Sequence, residues 1–222
     1  MKRQILKSFL TLVLAMLAMG SYAQDTKEYV DLGLPSGLKW ATCNVGATKP
    51  EEFGDYFAWG EVSTKDYYDW STYKYCSDGS GTIMTKYCTI DSLGIVDNKT
   101  ILDLEDDAAH VNWGGNWRMP TETEQNELLN NCTWTWTDSF NGTGVKGYIV
   151  SSKANSNFIF LPFAGFFQDW TLYSGGAIGY YWSSSLHPDG SDLAYDLNIS
   201  SYDIHSEDDI RYHGRSVRPV CQ

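Results

Sequence analysis

The chain has 222 residues and a formal net charge of −12, with 28 acidic against 16 basic side chains. Such a surface repels phosphate backbones, so a nucleic-acid partner is excluded, and the excess charge serves solubility. The length suffices for one sizeable core, and no Pro- or Ser-rich linker divides it.

Residues 1–23 read as a signal peptide: Lys2, Arg3 and Lys7 form a positive start, Phe9 to Met19 an apolar run, and Ser21-Tyr22-Ala23 a small-residue cleavage site. A single domain over residues 24–222 is expected in an exported protein, in periplasm, cell surface or medium. The apolar run is short for a bilayer and no second one follows, so no membrane span is expected. Tyr29 to Leu32 and Leu38 to Cys43 predict a hairpin around the turn residues Gly33, Pro35 and Gly37. Asp55 to Trp59 predicts a third strand. From Ser63 to Asn98 no period is sustained, which predicts long irregular loops held by aromatic anchors.

Two short helices follow. Asp106 to Trp113 predicts the first, stopped by Gly114-Gly115. Pro120 disfavours helix at Met119, Thr121 is placed to cap, and Glu124 completes a capping box, so the second starts at Thr121, buries Leu128 and Leu129, and ends near Asn130-Asn131. Gly147 to Ser152, Phe158 to Phe163, Gly179 to Leu186, Ala194 to Ile199 and Arg215 to Cys221 predict strands. The fold class is therefore α+β, mainly antiparallel, with two short helices and long irregular loops.

Five cysteines in an exported chain allow at most two internal bridges, and parity does not fix their pairing. Cys76 with Cys88 is one candidate, because the two share a Lys-Tyr-Cys context across a Gly-Ser-rich turn; such a bridge is worth about 3 kcal/mol. Cys43 with Cys132 is the second, leaving Cys221 unpaired.

The run Asn112, Trp113, Gly115, Arg118, Met119, Pro120, Thr121, Glu122, Glu124 resembles the core of the formylglycine-generating-enzyme-like branch of the C-type-lectin fold, although Gln125 and Asn126 replace its usual Trp-Glu. Four stretches, Tyr29 to Ala47, Gly54 to Glu61, Trp182 to Ser185 and Gly214 to Val220, resemble the FISUMP-type major paralogous domain of secreted bacterial proteins. That resemblance implies a C-type-lectin-like fold, with the last strand closing against the N-terminal hairpin. It also implies C-terminal loops that form a binding face, and no established activity.

Catalytic chemistry lacks its residues. Ser216 and Val217 stand where the resembled enzymes carry a thiol, and His110, His187, His205 and His213 have no metal-ligand spacing. No Gly-x-Ser-x-Gly elbow is present. Calcium is a possible cofactor, since Asp103 to Asp107, Asp189 to Asp192 and Glu207 to Asp209 are dense in carboxylates, though none has EF-hand order. The expected ligand surface is aromatic and polar: Trp170, Tyr173, His187, Asp189, Asp192, Tyr202 and His205, presented by the C-terminal loops to a glycan or protein. Trp40, Trp59, Trp113, Trp117 and Trp182 are assigned to the core, while Tyr67, Tyr68, Trp70, Tyr73, Phe166, Phe167 and Tyr212 join the loop aromatics. The alternatives are an adhesive module without a pocket and an oxidoreductase of the formylglycine-generating type.

Overall fold

The computed structural model describes residues 27–222, so the expected signal peptide lies outside the described residues. The hairpin of β1 (Tyr29–Asp31) and β2 (Lys39–Ala41) sets Val30 opposite Trp40, and β11 (Val220–Cys221) pairs antiparallel with the other edge of β2. A second sheet has the order β3 (Cys132–Thr137), β4 (Gly147–Ser152), β5 (Phe158–Pro162). The third places β9 (Leu193–Ser200) between β8 (Ile178–Leu186) and β10 (Ile204–Ile210), and β6 (Phe166–Gln168) pairs with β7 (Thr171–Tyr173) in a small hairpin. With helices α1 (Ala108–Trp113) and α2 (Glu122–Asn131), the architecture is α+β with antiparallel sheets.

The helix starts follow from side-chain chemistry. The Asp107 carboxylate accepts the His110 amide and caps α1, and its second oxygen accepts the Met119 amide at 2.8 Å, tying that helix to the chain that leads into the next. Thr121 and Glu124 form the capping box of α2 reciprocally. Glu124 also takes a bidentate grip from Arg118, at 2.6 and 2.7 Å, so the helix start is locked to the strand-like segment before it. Gln125 lies against the sheet, its Nε2 donating to the Tyr181 carbonyl, while Leu128 is fully buried.

The sheet β8-β9-β10 carries apolar side chains on both faces, and the period of two divides them. Trp182 and Ala194 face one cluster with Phe57, Trp59, Tyr73, Tyr87 and Val217. Tyr181, Leu197 and Ile199 face the other, with Trp40, Leu128, Val150, Leu161 and Phe163. The irregular segment from Ser63 to Asn98 contributes Tyr68, Tyr73, Tyr75, Met84 and Tyr87 to the first cluster, all buried, which is the aromatic anchoring expected of it. Arg211 lies among these rings, 4.7 Å from the Trp59 ring centroid, and donates to Tyr73, Tyr87, Ser191 and Lys86 oxygens.

Several expectations are corrected. Asp55 to Trp59 forms no ladder; Phe57 exchanges one isolated bridge with Arg215. Of the strand expected at Arg215 to Cys221 only Val220 and Cys221 pair with β2. Tyr68, Tyr73 and Tyr212, grouped with the loop aromatics, are buried, and Trp113 and Trp117 are only half-buried, packed edge to face at 5.1 Å. Strands β3, β6, β7 and β10 were not anticipated. In β10 the run Glu207 to Asp209 reads as loop carboxylates, but charge is what a sheet edge tolerates. All five cysteines are free, so neither Cys76–Cys88 nor Cys43–Cys132 is bridged. The Cys88 and Cys43 sulfurs instead approach the carbonyls of Ile90 and Ala47 at 3.2 and 3.4 Å.

Candidate functional site

A cleft opens where two sheets part. Its lining is Trp136 and Lys146 from the β3-β4 side, Ser201 and Tyr202 from the β9-β10 turn, and Phe163 with Gly176, Ala177 and Ile178 below, enclosing roughly 270 Å³. Trp134 and Trp136 share the inner face of β3, because side chains alternate along a strand. Trp134 packs on Tyr148 at 5.7 Å and lies partly buried against the core. Trp136, two residues on, extends past the covering elements and is 44% exposed. Tyr202 sits at the tip of the tight β9-β10 connection and is 86% exposed. That connection is held by Ser200, whose hydroxyl and backbone both engage Asp203, and by the Tyr148 hydroxyl donating to the Ser200 carbonyl. Two exposed rings thus border one cleft on well-anchored backbone. Trp136 is not among the residues expected to bind, although the alternation Thr133-Trp134-Thr135-Trp136-Thr137 directly after the helix announces a strand with both tryptophans on one face.

The seven residues expected to form one surface do not meet. His187, Asp189 and Asp192 belong to the β8-β9 connection, and Tyr202 and His205 to the opposite end of β9, a separation of roughly 24 Å along the strand. His187 packs on Tyr195 at 5.0 Å and faces Asp208 at 3.6 Å, and Asp192 accepts the Arg211 amide through its carbonyl. Trp170, 75% exposed, lies at the tip of the β6-β7 hairpin and leans on Tyr67 at 5.1 Å. Tyr173 closes the base of that hairpin on Phe166 at 5.6 Å. Gly165 supports that base: its φ is +70° and a Cβ would meet the Tyr173 carbonyl at 2.2 Å, so only glycine fits. His205 is bracketed by Asp203 at 3.0 Å and Glu207 at 3.6 Å.

The carboxylates of Asp103, Glu105 and Asp106 are engaged by the protein's own cations. Asp103, Glu105 and Asp106 bring oxygens within 4.8 Å of one another, but the Lys86 ammonium lies among all three, at 2.8, 3.2 and 2.5 Å, with Lys74 on Asp106 and Lys99 on Asp103. Those hydrogen bonds hold Asp106 well below the ordinary carboxylate range despite its burial. Glu207, Asp208 and Asp209 diverge along β10, to Asn198, His187 and Arg215 respectively. A second groove, of about 250 Å³, lies at the Gly114-Gly115 turn beside His110, Trp117 and Arg118. Two of its polar side chains are engaged, His110 Nδ1 by the Trp117 carbonyl and Arg118 by Glu124. Compared with protein-family models, curated proteins and solved structures, the chain matches none.

Proposed function

We propose that the chain is an exported, non-enzymatic binding domain of the FISUMP type with a C-type-lectin-like fold, which holds a glycan in the cleft between Trp136 and Tyr202. The observation that carries this reading is the pair of solvent-exposed rings bordering one groove, each on backbone fixed by hydrogen bonds and strand pairing. Aromatic faces cover the apolar side of a pyranose, and the groove, of roughly 270 Å³, lies just below the usual size of small-molecule pockets. The closure of β11 on the N-terminal hairpin and the Arg118, Thr121, Glu124 arrangement are consistent with the lectin-like resemblance. Three of the thiols are poorly placed for thiolate chemistry: burial pushes Cys43 and Cys221 up and Cys132 to about 11.

The test is a glycan array screened with and without calcium, using the mature chain and the single variants Trp136→Ala and Tyr202→Ala. Hits that both variants lose place the ligand in the cleft. Hits that survive both changes would remove the site, and an array without hits would remove the glycan reading.

A further inference from the structure

Resting on that glycan reading, we infer that the cleft selects an anionic sugar, a hexuronate whose carboxylate is met by Lys146 while its ring lies against Trp136 and Tyr202. Lys65, Lys74, Lys86 and Lys99 are each held by carboxylates at 2.5–3.2 Å, as a strongly acidic chain permits. Lys146 is exposed and, like Lys39, Lys49 and Lys153, has no carboxylate ion pair among the described residues, but it is the lysine that lines the cleft. Its backbone is fixed, because its carbonyl accepts the Phe163 amide at 2.9 Å just before β4 begins.

The nearest acidic residue in sequence to Tyr202 is Asp203, and it is engaged elsewhere. One of its oxygens accepts the Ile204 amide at 2.9 Å and the other faces His205 at 3.0 Å. The protein's net negative charge opposes an anion at long range, but salt screens such charges over about 8 Å, whereas a contact with Lys146 is direct. Lys146 is the charged side chain among the residues lining the cleft, and so favours a sugar that carries a carboxylate. The Ser201 hydroxyl, also lining the cleft, supplies a neutral hydrogen-bonding group for ring hydroxyls.

The experiment is isothermal titration of the mature chain with oligogalacturonate and with its fully methyl-esterified form, which keeps the ring and removes the charge. A neutral galacto-oligosaccharide and oligoglucuronate serve as further ligands. Expected is at least a tenfold preference for the acid over the ester, weakened by added salt, and abolished in Lys146→Gln with the ester's affinity kept within about twofold. Equal binding of acid and ester, or a preference that survives Lys146→Gln, overturns the inference. Binding of neutral sugars alone, lost in Trp136→Ala, overturns it while leaving the glycan reading intact. Binding of none of these sugars, with an empty array, removes both.

Discussion

Arg215 and Asp196 form an ion pair closed to solvent, the side chains being 1% and 0% exposed. Arg215 also engages Asp209, which is one-third exposed, and its guanidinium lies over the Trp182 and Tyr180 rings at 4.5 and 4.7 Å. A buried charge that loses its partner is costly, about 3–5 kcal/mol, whereas a partner that still reaches water costs much less. Asp196→Ala is therefore expected to lower the urea midpoint severely and Asp209→Ala only mildly. Equal losses from the two variants would show that burial of the pair does not govern its contribution.

Acid sensitivity follows from Asp106 and Glu124. Burial raises both, but hydrogen bonds from Lys74, Lys86 and two tyrosines on Asp106, and from Arg118 on Glu124, win and leave each depressed. A depressed carboxylate contributes its full stability above its unfolded value, about 4, and loses that contribution as pH falls toward its folded value. Stability measured from pH 7 downward should drop most steeply below about pH 4, and Asp106→Asn should flatten that limb. An unchanged acid limb in the variant would count against the assignment.

The thiols give a direct count. Cys76 is partly exposed, with its sulfur 2.9 Å from an Asp78 oxygen, and the other four are buried. Alkylation followed by mass spectrometry, without reductant, should label one cysteine quickly in the native protein and all five after denaturation. Three labelled cysteines in denaturant would restore one of the expected bridges.

Exposed and buried rings should separate cleanly. Tyr202→Ala and Trp170→Ala are expected to change unfolding free energy by no more than about 0.5 kcal/mol, and Trp182→Ala to cost about 3–5 kcal/mol. Of the two exposed positions only Tyr202 is expected to matter for glycan binding, because Trp170 lies on a different hairpin. Loss of binding in Trp170→Ala would move the site to the Tyr67 side.

Local chemistry was legible where consecutive residues carry it. The cap at Thr121 and the stop at Gly114 are each written within a few residues, and each appears as read. What eluded the sequence depends on distant chain. Tyr73 and Tyr212 look like loop tyrosines until Arg211 and Trp70 pack against them. The segments richest in polar and aromatic residues suggest one ligand face, but which of them adjoin is set by strand direction. β9 carries its two flanking connections to opposite ends of the sheet, so proximity in sequence between Asp192 and Tyr202 misleads. Trp136 enters the cleft only because β3 pairs with β4, which is a long-range fact.

The pairing of β11 with β2 joins residues separated by nearly the whole described chain. During synthesis the N-terminal hairpin emerges early, yet its outer edge stays unpaired until Val220 and Cys221 have left the ribosome. Until then three-residue strands have one neighbour each, too little to persist alone. The first sheet is therefore completed only after the chain that carries β11 has been made.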